Sequence, residues 1–286
     1  MTLAGQDPVL ALEKVPWWRA LWVRVWSLQS VLRLVFLAVI LGGWELTSIH
    51  LVKPIWISSP SRVGPRIVSS FDTLILHAWA TLQEALLGLA IGTMLGLLFG
   101  VLIARSPRSV RGAVDPFVQA AYSIPRIALA PFFILWFGIG LASKVMLVVT
   151  VVSFAIFFNV RQGIEGLDRD LIDALRSMRA TRFQMMRYVT VPAVVPWLLA
   201  GLKISVGLGI VSAIIAELIG SAKGLGHYLR TTTNAFDMTG GFAAMFFMST
   251  MAMLFYGIVT VLERRLISWQ TPTGDANETT TKFARR

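Results

Sequence analysis

The side chains that could do chemistry in this 286-residue chain are few and far apart. Arg126, Lys203 and Glu217 stand within or beside long apolar runs, and the three His (His50, His77, His227) show no metal-ligand spacing. There is no Cys, so disulfides, thiolate catalysis and thiol metal sites are excluded. No apolar run carries a paired-Asp, Ser/His or His/Glu set. An intramembrane enzyme needs such groups within hydrogen-bond reach, which argues against that class. Recognition chemistry remains. A buried guanidinium at Arg126 suits an oxyanion such as sulfonate, nitrate or carboxylate through bidentate hydrogen bonds. Its other reading is a side chain snorkelling to the headgroups. Lys203, near the start of another apolar run, carries the same two readings. A carboxylate within a span, as at Glu217, costs about 2.5–3.5 kcal/mol to insert. Glu217 either shapes a gate or faces the cavity, or it makes a helix–helix hydrogen bond or a salt bridge, such as one with Lys203 or Lys223. Pro125 and Pro131 break intrahelical hydrogen bonds, and either line a cavity with freed carbonyls or kink the helix. Glu84 reads as interfacial. His227 reads as an exposed loop residue or a contact for a partner.

The elements that position these residues are membrane helices. The chain is 56% hydrophobic and 14% charged, against about 25% charged in a soluble domain, and its mean hydropathy is +0.70. The expected fold class is an all-α polytopic membrane protein. Its apolar runs are continuous rather than alternating, which excludes a closed barrel. Six spans are expected, at about 32–52, 78–103, 115–141, 144–160, 193–220 and 242–262. Together with the loops between them they form one transmembrane domain over 32–266. Residues 1–31 form a tail ending in an interfacial amphipathic helix with Trp18, Trp22 and Trp26 four apart, or an extension of the first span. Residues 267–286 form a second tail. The first 30 residues lack the apolar core and cleavage site of a signal peptide. Gly88, Gly92, Gly96 and Gly100 make a small-residue stripe that lets helices approach closely. Residues 220–241 read as a polar loop. Trp44, Trp56, Trp79, Trp136, Trp197 and Trp269 suit aromatic belts.

The net charge of +11 fits positive-inside bias better than nucleic-acid binding. With the N-terminus inside, eighteen Lys and Arg fall in the inner segments and six in the outer ones. Both termini are therefore expected inside, and residues 161–190 with them.

Residues 161–196, RQGIEGLDRDLIDALRSMRATRFQMMRYVTVPAVVP, are the segment that stands out. They carry six Arg and no Lys between two apolar runs. Leu167, Leu171, Ile172, Leu175, Met178, Phe183, Met186 and Val189 recur at spacings of three and four. That suits two short amphipathic helices with a kink near Arg179–Thr181. Thr181 is a candidate N-cap for the second. Such a helix can lodge in a groove of a soluble partner.

The stretch DALRSMRATRFQMMRYVTVPAVVP resembles the EAA loop of bacterial ABC-importer permeases, with Asp173-Ala174-Leu175 at the E-A-A position and Val191-Pro192 at the closing pair. Arg179 occupies the position usually held by Gly, a departure that leaves the turn to be made some other way. PRIALAPFFILWFGIGLASKV (125–145), GLKISVGLGIVSAIIAELIGSAKGLGHYL (201–229) and ERRLISW (263–269) are similar to the nitrate/sulfonate/taurine group. The resemblance implies a type I importer permease in the bacterial inner membrane, worked by two ATPase subunits. It also implies a second permease copy and a periplasmic or lipid-anchored binding protein. Asp173, Ala174, Leu175, Arg176, Arg179, Ala180 and Phe183 are the implied ATPase contacts. The chain has no G-x-x-x-x-G-K-[ST] motif, so the expectation is that it holds no cofactor and that a partner binds ATP and Mg. The implied substrate is a small anion such as a sulfonate, taurine, nitrate or a related organic acid. A thiamine or pyrimidine precursor and an aromatic carboxylate are alternatives. A self-sufficient secondary transporter is the rival class.

Overall fold

The computed structural model describes residues 28–53 and 55–267, so the expected interfacial helix at 15–30 lies almost wholly outside the described residues. The chain divides into two compact units, residues 1–62 and 63–286. In the first, α1 (Leu28–Leu46) is followed by a single π-helical turn, Thr47–Leu51. Trp44 Nε1 donates to the Ser58 carbonyl at 2.8 Å, and the Glu45 carboxylate accepts from the Ser61 hydroxyl at 2.6 Å. These bonds fold the Pro/Ser-rich return segment back on the end of α1. Trp44 is thus a hydrogen-bonding residue as well as a belt aromatic. A short helix, α2 (Pro60–Ser69), then begins.

The second unit is a helical bundle whose long members are α3 (Phe71–Arg105), α6 (Leu141–Glu165), α9 (Val191–Gly220) and α11 (Met238–Leu266). Five helices, α1 and these four, are apolar and long enough to cross a bilayer. Counted as one span, a bent helix pair brings the number to six. Its halves are α4 (Arg108–Ser123) and a 3₁₀ turn at Arg126–Leu129 leading into α5 (Ala130–Phe137), with a bend of 76°. Pro125 accounts for the break: it has no N–H to donate, and it holds Ile124 extended at φ −67°, ψ 125°. Pro131 does something else. It lies in the first turn of α5, where a missing N–H costs nothing, so it starts a helix rather than kinking one.

The core is built around α6, which packs against α3 on one side and α9 on the other. Leu147, Val148, Val152, Ile156 and Val160 are completely buried. The glycine stripe of α3 meets this face in register. A Cβ at Gly88 would lie 2.4 Å from Val148, at Gly92 2.8 Å from Val152, and at Gly96 2.5 Å from the Ser153 carbonyl oxygen. Both partners advance four residues at a time in the same direction, so α3 and α6 run parallel, with backbones closer than any side chain would permit. α9 runs antiparallel to α6, with Gly209 against Val148 and Val152 and Trp197 against Gly163.

Residues 220–241 are not simply a loop. They contain α10 (Leu225–Asn234), which packs on α3, α9 and α11. The chain enters it through Gly224 at φ +108°, a conformation that L side chains rarely adopt. Asp237 N-caps α11 by accepting from the Gly240 N–H at 2.9 Å, and Arg66 grips the same carboxylate at 2.6 Å.

Gly96→Val should lower the thermal midpoint of the detergent-purified chain, because overpacking costs about 1–3 kcal/mol even where some relaxation is possible. Gly207, with nothing within 4 Å of the position a Cβ would take, is the control. If Gly207→Val is as damaging as Gly96→Val in thermal melts, the close-approach account fails.

Candidate functional site

The loop between α6 and α9 is built as two short helices. α7 (Arg169–Ser177) is N-capped by Asp168, which accepts from the Asp170 N–H at 2.9 Å. It ends in a turn where the Ala180 N–H donates to the Leu175 carbonyl at 3.0 Å and the Arg179 N–H to the Arg176 carbonyl at 2.9 Å. That pair of bonds is a Schellman motif, whose left-handed position is usually Gly. Here Arg179 occupies it at φ +57°. The turn is therefore made in the ordinary way, with an arginine backbone held in a conformation that costs about 1–2 kcal/mol. α8 (Arg182–Met185) follows at once. Thr181 caps it with a reciprocal capping box: the Gln184 N–H donates to Thr181 Oγ1 at 3.2 Å, and the Thr181 N–H to Gln184 Oε1 at 2.7 Å. A π-helical turn at Met186–Thr190 leads into α9, whose first turn contains Pro192.

The two faces of this loop differ. Ile172, Leu175, Ala180, Met185 and Met186 are half-buried, while Asp173, Ala174, Arg176, Arg179 and Phe183 are exposed. Leu171, Met178 and Phe183 also present apolar surface outward, Met178 at 78% and Phe183 at 70%. Asp173 touches Arg176 at 3.2 Å, but both are about 70% exposed, so the pair adds little stability.

The other candidates separate from one another. Lys203 forms an ion pair with Glu263 of α11 and lies 6.0 Å from the Tyr256 ring, so it joins two helices. Arg126 sits at the break between α4 and α5. Its guanidinium lies over Tyr122 at 4.4 Å and Phe154 at 4.7 Å, and donates to the Tyr122 carbonyl at 2.9 Å. No carboxylate pairs with it among the described ion pairs, and its Nε is buried without a partner. Phe154 also lines an apolar cavity of about 440 Å³. Pro125 immediately precedes Arg126, whereas Pro131 lies one turn into the chain beyond it.

Glu217 pairs with neither Lys203 nor Lys223. It is fully buried, accepting from Thr81 Oγ1 at 2.6 Å and the Gly226 N–H at 2.6 Å. Glu84, expected at the interface, is buried beside it and forms an ion pair with Lys144, which also donates to Ser221 Oγ at 2.9 Å. The Leu225 N–H donates to Thr81 Oγ1 at 2.9 Å and the Gly224 N–H to His77 Nδ1 at 3.0 Å. A Cβ at Gly224 would overlap the Glu217 carboxylate, at 2.0 Å. The cluster thus ties α3, α6, α9 and α10 together, and opens onto a cavity of about 290 Å³ lined by Gln83, Lys144 and Lys223. His227 is part of α10, 5.9 Å from the His77 ring and 3.3 Å from Arg230, rather than in an open loop. Sequence reasoning missed the Glu84–Lys144 pair. The available signal was two opposite charges, each at the same end of an otherwise apolar helix.

Removing one partner of this cluster strands a buried charge. Lys144→Met should cost about 3–5 kcal/mol, and adding Glu84→Gln should recover most of it. A thermal melt of Lys144→Met equal to the wild type would contradict the cluster. Arg179→Gly relieves the left-handed strain but loosens the unfolded loop, so the expected net change is within about 1 kcal/mol of zero. Arg179→Val should instead open the turn, read as faster amide exchange at residues 176–184. Unchanged exchange in that variant would count against the turn.

Residues 92–268 match the family of binding-protein-dependent transport system inner membrane components. The chain is 33% identical over 245 residues to the formylaminopyrimidine transport permease ThiX of Halalkalibacterium halodurans, covering 85% of this chain and 98% of that one. It is 30% identical over 240 residues to the putative aliphatic sulfonates transport permease SsuC of Bacillus subtilis, covering 82% and 85%. It is 28% identical over 269 residues to the taurine permease TauC of Escherichia coli, covering 91% and 98%. Among solved structures, an inward-facing form of the MetNI methionine ABC transporter aligns with TM-score 0.62 at 22% identity, covering 69% of this chain and 97% of that one. A bacterial alginate importer aligns with TM-score 0.61 at 16% identity, covering 88% and 99%, and both likenesses speak to fold alone. An all-helical bundle with a bent α4–α5 pair and a capped two-helix loop, together with these matches, places the chain in the binding-protein-dependent ABC-importer permease family, nitrate/sulfonate/taurine type.

Proposed function

We propose that this chain forms the pore of an ATP-driven importer for a small anion, such as a sulfonate, taurine, nitrate or related organic acid. A separate ATPase works it through the loop at 165–188. The observation that carries this reading is the construction of that loop. Its backbone is locked by a Schellman turn and a capping box, yet Asp173, Ala174, Met178 and Phe183 are exposed among the described residues. A rigid, partner-ready handle suits force transmission, since apolar anchors on a short helix fill a groove. In this reading Leu175 and Ala180 hold the handle to the bundle, while Asp173, Ala174, Arg176, Arg179 and Phe183 contact the ATPase.

Two ATPase subunits bind and hydrolyse ATP with Mg, a second copy of this chain completes the pore, and a periplasmic or lipid-anchored binding protein delivers the solute. The membrane is the bacterial inner membrane, with both termini inside. Arg126 supports an anionic substrate, because a guanidinium held by two aromatic rings, with no carboxylate partner, keeps its charge free for an oxyanion. A pyrimidine precursor is the second reading, favoured by the 33% identity to a formylaminopyrimidine permease. Uptake by the assembled transporter of taurine, alkanesulfonates and formylaminopyrimidine separates the two.

The absence of Cys makes the coupling test direct. Ala174→Cys in the full-length chain should crosslink to the cognate ATPase. Asp173→Arg should abolish uptake while membrane insertion stays normal. Wild-type uptake and ATPase stimulation in Asp173→Arg, or no crosslink from Ala174→Cys, would refute the handle.

A further inference from the structure

At the loop end of the bundle lies a cavity of about 610 Å³, bounded by the ends of α3 and α6, the start of α4, α7 and the turn before α9. That volume lies within the range of small-molecule sites. Its polar lining is Arg105, Arg108, Arg111, Arg176, Glu165 and Thr190. The charges do not balance. Glu165 accepts from Arg111 at 3.2 Å and from Arg161 Nε at 2.8 Å, and Arg161 also forks onto Asp115, with one bond of 2.9 Å. Those two arginines and two carboxylates neutralise one another. Arg176 has only its exposed contact with Asp173. Arg105 donates to the Thr190 hydroxyl and the Met186 sulfur, both at 3.2 Å, which bring no negative charge. Arg108 makes no hydrogen bond or ion pair among the described contacts.

The position of Arg108 is electrostatically wrong for an empty site. It opens the 16-residue helix α4, whose first turn holds no acidic residue and whose N-cap, Pro107, supplies no side-chain cap. A helix N-terminus carries partial positive charge and unpaired N–H groups, so cations there are unfavourable and anions are favoured. Arg105, by contrast, ends α3, where a cation is at home. Two exposed guanidiniums and an uncapped helix start therefore line one open space at the edge of the apolar bundle. Guanidinium forks match phosphate oxygens in pairs, and basic pockets between membrane helices suit lipid headgroups.

We infer that this cavity binds a phosphate-bearing anion, from either an acidic phospholipid headgroup or a free phosphate compound. The inference does not depend on the transported substrate; of the residues proposed to meet the ATPase only Arg176 lines the cavity, and the test leaves Arg176 unchanged. The test uses the full-length chain, purified and delipidated in neutral detergent, with phosphatidylglycerol and phosphatidylcholine as probes in native mass spectrometry. Phosphatidylglycerol should be retained preferentially. Arg105→Gln with Arg108→Gln should weaken its retention about tenfold, the effect of losing charged hydrogen bonds. Arg108→Gln alone breaks no internal bond, so it should weaken retention without shifting the thermal midpoint, and it carries the test if the double variant does not fold. Displacement by inorganic phosphate identifies a soluble ligand as the source, and resistance to displacement identifies the lipid. Arg182→Gln, outside the cavity, should retain wild-type binding. The proposal is overturned if phosphatidylglycerol is not preferred and inorganic phosphate does not bind. It is equally overturned if Arg182→Gln weakens retention as much as the cavity variants do.

Discussion

Everything in the second unit is organised by how closely α3 can lie against α6. In a bilayer, apolar side chains gain nothing by leaving lipid for another apolar surface, so helix association rests on packing and interhelical hydrogen bonds. Gly88, Gly92, Gly96 and Gly100 bring the two backbones to where Val148, Val152 and Ile156 fill the grooves between glycines. Once that contact is set, the opposite face of α6 is presented to α9, where Gly163 against Trp197 and Gly201 against Asn159 repeat the device. A helix buried on two sides in this way behaves as the fixed post of the bundle.

The two polar regions of the unit sit at opposite ends of that post. At 25 residues α6 is about 37 Å long, and it starts near Lys144 and ends at Glu165. Lys144 enters the buried cluster with Glu84 and Ser221. Arg161 and Glu165 anchor the start of the α6–α9 loop through Asp115 and Arg111. Buried polar groups are costly unless satisfied, so the first cluster fixes the rotation and height of the helices that meet there, while the second, partly exposed, ties α4 to the end of α6. α4 has no buried residue and meets α5 at a 76° bend, so it is held by fewer packing contacts than the helices around α6.

Much of this was legible in the residues themselves. Continuous apolar runs read as helices because hydrocarbon leaves a backbone no other partner. The spacing of Leu171, Leu175 and Met178 and the candidate N-cap Thr181 showed the two-helix loop, because amphipathic period and capping act over three or four residues. The glycine stripe was readable for the same reason. Residues 220–241 were misread because their polarity matches a loop. Their helix depends on Gly224 turning the chain and on Glu217 of the preceding helix and Thr81 of the distant α3 receiving its first N–H groups. Arg179 was the reverse case. The sequence showed the missing glycine, but only the bonds to Leu175 and Arg176 show that an arginine backbone takes the left-handed turn regardless.

Composition and short-range pattern, then, determined the solvent, the helical class, the family and the place of the two-helix loop, because each is written within one helical turn or in bulk hydropathy. Tertiary structure alone decided which charges meet. Glu84 finds Lys144 across 60 residues, Lys203 finds Glu263 across 60, and Thr81 finds Glu217 across 136. Those pairings depend on the rotation and relative height of packed helices, set by close contact between glycine and valine faces. No local periodicity encodes that phase, so a lone intramembrane charge in the sequence shows that a partner is needed but not which one it is.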